Sequence, residues 1–210
     1  VAKRIRIAYS KGQEIAFLSH LDIIRAFSRL LRRTEIPVQY SQGFHTRPLI
    51  SMGPALPVGA SGEEELLDIF LEREPDFDLL ERLKAHAPPG IEIREVKGLK
   101  EKKKALTAFP FLSLWHLEGT WEVIPEKGFL KALLEREEIS VLRSTPKAVR
   151  QIDLKKYLRA LRAGEEYLEI ELYSSPEGGA RLEEVLRLLR EEGYNFRLKA
   201  ILRKKLRILE

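Results

Sequence analysis

Residues 3–9 alternate polar and apolar side chains, the period of a strand with one buried face. Residues 10–14 then read as a turn around Gly12, and 15–18 as a continuation of the strand edge. Ser19-His20-Leu21-Asp22 has the form of a capping box, with Asp in place of the longer Glu, so a helix is expected over 20–33. Leu21, Ile24, Phe27 and Leu31 form its apolar stripe, while Arg25, Arg29, Arg32 and Arg33 line another face. Pro37 marks the exit. A second strand starts at 38–40, is interrupted by a loop over 41–48 and resumes at 49–52, before Gly53-Pro54, Pro57 and Gly59 break the chain again. Residues 65–71 read as a strand. Asp76 is expected to cap a helix over 77–86 with Phe77, Leu80 and Leu83 inward, and Pro88-Pro89-Gly90 ends it before a cleanly alternating strand at 91–96.

The second half repeats this order. Residues 111–123 are strand-like, and Pro125 is placed to open a helix over 126–137 that carries Phe129, Leu133 and Leu134. A short strand at 139–142 and an extended piece at 147–154 follow; 157–161 fits neither period. Residues 167–173 alternate strictly, Gly178-Gly179 precedes a helix over 180–192 with Leu182, Val185, Leu186 and Leu189 apolar, and 196–209 closes as a strand. Strand, helix, strand, strand, helix, strand, given twice, predicts an α+β chain of two tandem ferredoxin-like (βαββαβ) domains with antiparallel sheets. Their expected bounds are 1–97 and 111–210, joined by a basic linker at 98–110.

Composition supports packed cores: 44% of the 210 residues are hydrophobic. The charged fraction of 33%, one Met and no Cys suit a heat-adapted cytoplasmic protein. Without Cys this chain holds no disulfide, no thiolate zinc site and no iron–sulfur cluster. No apolar run approaches the ~20 residues of a membrane span, and no secretory signal opens the sequence, so no membrane association is expected. The net charge is +5, and the cations cluster: Lys3, Arg4 and Arg6; the helix arginines; Lys97, Lys100, Lys102, Lys103 and Lys104; and Arg197, Lys199, Arg203, Lys204, Lys205 and Arg207. Clusters of this kind suit an anionic partner, nucleic acid first, and Arg25, Arg29, Arg32 and Arg33 are the expected contacts. The same residues also read as solvated surface among 32 acidic side chains.

The loop over 41–48 concentrates the chemistry. Tyr40, Ser41, Gln42, His45 and Arg47, with His20 at the helix start, are the expected substrate-binding residues. His45 and Tyr40 are the candidates for acid–base work near neutral pH, and Arg47 suits a phosphate or carboxylate. The bland alternative gives His45 and Gln42 to the loop backbone and leaves Arg47 as surface charge. His20 and Asp22 likewise read either as an anion site at a helix start or as a cap alone. Four scattered His with no Cys give no metal-ligand spacing, and no phosphate-binding glycine motif occurs.

Taken together, Phe17-Leu18-Ser19-His20-Leu21-Asp22, Tyr40-Ser41-Gln42-Gly43-Phe44-His45 with Arg47-Pro48, Ile50-Ser51, Leu56-Pro57-Val58-Gly59 and Ile152-Asp153-Leu154 resemble the bacterial radical SAM-linked proteins, whose domain has no assigned function. Thr46 stands where that family usually has Pro, and Leu49 where it often has Lys. Family members occur as separate chains or fused behind a radical SAM domain. The resemblance therefore implies an accessory or substrate-presenting subunit, not an enzyme on its own, whose partner is a radical SAM protein. The iron–sulfur cluster and S-adenosylmethionine would belong to that partner, and this chain would carry no cofactor. RNA or a ribosome-associated component is the expected substrate, with no preference for DNA. The tandem fold is also similar to CRISPR repeat-processing endoribonucleases, which would make His45 and Tyr40 a metal-independent cleavage pair. A third reading is a module presenting a small molecule or peptide gripped by Gln42 and Arg47.

Overall fold

The computed structural model describes residues 3–99, 104–146 and 148–209, and the chain divides into two units, Val1–Phe109 and Pro110–Glu210. In the first unit β1 (Lys3–Lys11), α1 (His20–Arg33), β2 (Ile50–Met52), β3 (Ala60–Leu71), α2 (Leu79–His86) and β4 (Ile91–Leu99) follow one another. β1 is central: it pairs antiparallel with β3 on one side and β4 on the other, and β2 adds to the far edge of β3. The period-2 pattern of β1 sends Ile5, Ile7 and Tyr9 into the core, where they meet Phe27, Leu30 and Leu31 of α1 and Leu83 of α2. The Tyr9 and Phe27 rings pack edge to face, 4.8 Å between centroids.

The opposite face of β1 is charged. Asp68 of β3 is fully buried and accepts hydrogen bonds from Arg4 Nε at 2.8 Å and Arg6 Nε at 2.9 Å. A second Arg4 nitrogen donates to the Lys104 carbonyl. Two guanidiniums of the basic N-terminal cluster are thus committed to a buried carboxylate.

Several boundaries differ from expectation for identifiable reasons. Residues 15–18 do not extend the strand. Gln13–Ile15 is a turn of 3₁₀ helix, and the buried Lys11 Nζ holds the segment by donating to the carbonyls of Ala16 at 2.7 Å and Leu18 at 3.0 Å. Gly90, at φ +82, closes against this turn, because a Cβ there would meet Ile15 within 2.7 Å. The second strand shrinks to three residues; 38–40 touches β3 through a single bridge at Val38 and Leu71, in a stretch where Pro37 and Pro48 cannot donate. Asp78, not Asp76, caps α2, its carboxylate accepting from the amides of Leu80 and Glu81.

The inward face of α1 also departs from the expected stripe. Its buried residues are Ile23, Phe27, Leu30 and Leu31, at the i, i+4, i+7, i+8 spacing. Leu21 lies two residues, about 200°, from Ile23 and is 61% exposed. The capping box of Ser19 and Asp22 forms as expected: the Ser19 hydroxyl accepts from the Asp22 amide, and the Asp22 carboxylate accepts from Ser19.

Within the expected linker, β4 runs on through Gly98 and Leu99, and Leu106 is buried with its amide donating to Ser51 Oγ. Lys100, Lys102 and Lys103 lie outside the described residues.

The second unit contains β5 (Phe111–Trp121), α3 (Lys127–Glu135), β6 (Ser140–Thr145), β7 (Ala148–Asp153), β8 (Leu158–Ala163), β9 (Tyr167–Ser175), β10 (Gly178–Gly179), α4 (Leu182–Glu191) and β11 (Phe196–Ile208). β5 again pairs antiparallel with a strand on each side, β9 and β11, and β8 and β10 both pair with β9. β6 and β7 form a separate hairpin. Arg143 of that hairpin reaches the buried Glu184 of α4 at 2.5 and 2.8 Å and also donates to the Gly179 carbonyl. The chain is therefore mixed α+β with antiparallel pairing and four α-helices among the described residues. None of those helices is long and apolar enough to cross a membrane.

Candidate functional site

The helix arginines and the polar loop converge. Arg25, Arg29 and Arg32 sit at i, i+4 and i+7 on the solvent side of α1, within about 60° of one another. They line a groove with Leu21, Ile24, Ser28 and, from the loop, Arg47. Arg32 fastens the two elements, donating to the Thr46 carbonyl at 3.2 Å. Arg25 is half-committed, 3.0 Å from Asp22. That contact follows the Ser19 hydroxyl in holding the Asp22 carboxyl below its ordinary range. Arg29 and the Arg47 guanidinium have no hydrogen-bonding or ionic partner among the described residues. Four guanidiniums around Leu21 and Ile24 make the groove cationic above an apolar floor, chemistry suited to an anionic ligand with flat or apolar groups.

Arg33 does not join them. One residue past Arg32 it turns about 100° away, and its guanidinium donates to the His86 carbonyl at the end of α2.

The loop itself is clasped at its base. The Ser41 amide donates to the Arg47 carbonyl at 2.8 Å, and the Arg47 amide donates to Ser41 Oγ at 3.1 Å. Ser41 is thus a structural closure. Gln42, Phe44 and His45 project from the clasp into solvent, and Tyr40 is 39% exposed beside Pro48. His45 has no hydrogen-bond partner among the described residues, so no second group orients its ring as a triad would.

His20 lies elsewhere. As the first residue of α1 it lines a narrow cleft with Tyr9, Lys11, Leu18, Ile23, Met52 and Glu65; none of Tyr40, Ser41, Gln42, His45 or Arg47 lines that cleft. Burial lowers the Lys11 ammonium from its usual value, with Glu65 acting in the opposite direction. The sequence reading gave neither Lys11 nor Glu65 a place in a site. An isolated Lys in a strand gives no signal until the turn that wraps it is known. Leu21 was assigned to the core and lies outside it, and Ile24 packs against the core while also lining the groove, so the groove floor was missed.

A family model matches residues 4–190, a span that includes both the groove and the cleft. The chain belongs to the bacterial family described as "uncharacterized protein conserved in bacteria", DUF2344. The match to DUF2344 stops within α4, before β11. No curated protein matches this DUF2344 chain. Among solved structures it is similar to a chain from the "Crystal Structure of a Cbf5-Nop10-Gar1 Complex", at 9% identity and a TM-score of 0.47. That alignment covers 97% of this chain and 48% of the other, so the chain spans about half the length of its match. A second similar structure is the "Crystal Structure of an Unknown Protein from Galdieria sulphuraria", at 11% identity and a TM-score of 0.29 over the full length of both.

Proposed function

We propose that this chain is an RNA-binding accessory subunit that presents its ligand to a separate radical SAM enzyme. The observation that carries the RNA reading is the groove, in which Arg25, Arg29, Arg32 and Arg47 gather around Leu21 and Ile24. Arginines that meet phosphates as planar forks supply affinity without base identity, as expected of a subunit that holds RNA for another protein. The architecture is consistent with it. The first unit has the order strand, helix, strand, strand, helix, strand with the first strand central, and the second has the same order once the β6–β7 hairpin and the two-residue β10 are set aside, which we read as two ferredoxin-like units. The radical SAM partner rests on the resemblance of the Ser-Gln-Gly-Phe-His loop and its companion segments. With no Cys in its 210 residues, the chain leaves a thiolate-held cluster to that partner.

The test is titration of the purified chain with cellular RNA at two salt concentrations, with the products run on a denaturing gel. Salt-sensitive binding with intact RNA is expected. Arg29→Gln and Arg47→Gln each lower the slope of log K against log salt by about 0.7. Absence of binding at low salt overturns the reading. RNA cleavage that disappears in His45→Ala replaces it with a nuclease. Co-purification with a radical SAM protein tests the partner separately.

A further inference from the structure

We infer that Phe44 is a base-stacking residue and that the groove takes single-stranded rather than duplex RNA; this rests on the RNA reading of the groove. Phe44 is the most exposed large apolar side chain of the described residues, at 106% of its reference area. An aromatic ring wholly in water gains by burial against a ligand, and nothing in the fold takes it.

The loop displays this ring in a defined place. Its base is clasped by the two Ser41–Arg47 hydrogen bonds, and its exit side is tied to α1 through Thr46 and Arg32. At the tip, Gly43 has φ +122, and no heavy atom lies within 4 Å of where its Cβ would stand. The glycine turns the chain outward with clear space around it. Phe44 thus stands two residues before Thr46, which Arg32 holds, and three before Arg47 of the groove, with the exposed His45 next in sequence and the half-exposed Tyr40 at the loop base.

The combination selects among anions. Free phosphate or an acidic peptide would engage the arginines and leave the ring in water. Duplex RNA offers phosphates, but its bases are stacked on one another. Unlike these three, an unpaired strand supplies both a phosphate backbone for the guanidiniums and free base faces for the ring. Arg25, Arg29 and Arg32 span about 10 Å of the helix axis, enough for a short run of backbone.

The experiment compares the full chain and its variants by fluorescence anisotropy on a labelled single-stranded RNA and on the same strand annealed to its complement. Tighter binding of the single strand is expected. Phe44→Ala weakens single-strand binding about fivefold or more and leaves duplex binding unchanged, and Phe44→Trp restores the loss. Equal affinity for both forms overturns the inference and leaves the RNA reading standing, as does an unchanged Phe44→Ala. Failure to bind either form overturns both. Phe44 makes no packing contact that its replacement would disturb, and far-ultraviolet circular dichroism checks that the variants are folded.

Discussion

Arg32, in the last turn of α1, donates a hydrogen bond to the Thr46 carbonyl at 3.2 Å, and so couples the helix to a loop that follows it in sequence by more than one turn of chain. One side chain thus serves two purposes, adding charge to the groove and fixing the loop that supplies Arg47. Arg32→Lys keeps the charge but loses the planar fork. The expected result is a nearly unchanged salt dependence of RNA binding together with faster amide exchange over 42–46. Equal exchange in both proteins would remove the tie from the account.

The outward position of Leu21 gives a paired prediction. Leu21→Gln changes unfolding free energy by no more than about 0.5 kcal/mol, as for other exposed positions. Phe27→Ala, on the buried face of the same helix, costs about 3–5 kcal/mol. Urea denaturation followed by helix ellipticity distinguishes them.

Glu184 provides the pH dependence of the second unit. Burial pushes its carboxyl upward, but hydrogen bonds from Arg143 and the Arg181 amide outweigh burial and hold it below the ordinary 4.5. A carboxylate with a lowered folded value contributes stability that is present above pH 4.5 and is lost as pH falls through that lower value. The wild-type advantage over Glu184→Gln is therefore constant near neutrality and shrinks in acid. Both tryptophans, Trp115 and Trp121, lie in this unit, so their fluorescence during urea unfolding at several pH values reads the effect.

Glu35 follows the α1 C-cap at φ +54, the sole positive-φ residue other than glycine among those described. An L side chain pays about 1 kcal/mol there, and glycine does not. Glu35→Gly raises the unfolding free energy of the first unit by about that amount, measured by the urea midpoint.

Much of this was legible in the sequence because the signals were local. Ser19 and Asp22 mark the start of α1 to the residue, and strict alternation at 167–173 locates β9. The groove was half legible. Helical spacing put Arg25, Arg29, Arg32 and Arg33 on one face, but Arg33 turns away to His86, and the convergence of Arg47 depends on a nonlocal contact. The facing of α1 was misread at Leu21 because Leu21, Ile24, Phe27 and Leu31 also satisfy a helical period, and only the sheet beneath decides which stripe is buried. The β6–β7 hairpin was read as two extended pieces, since alternation records that one face is covered and not which strand is the neighbour.

The clasp at Ser41 and Arg47 has a consequence for how such a protein diversifies. The residues that close the loop differ from those that project from it, so the tip can be rewritten without loosening the scaffold. On the RNA-binding proposal, replacing Gln42, Phe44 and His45 within an intact clasp would exchange one ligand preference for another at little cost in folding. The short stretch would then behave as an interchangeable reading head on a constant arginine bed.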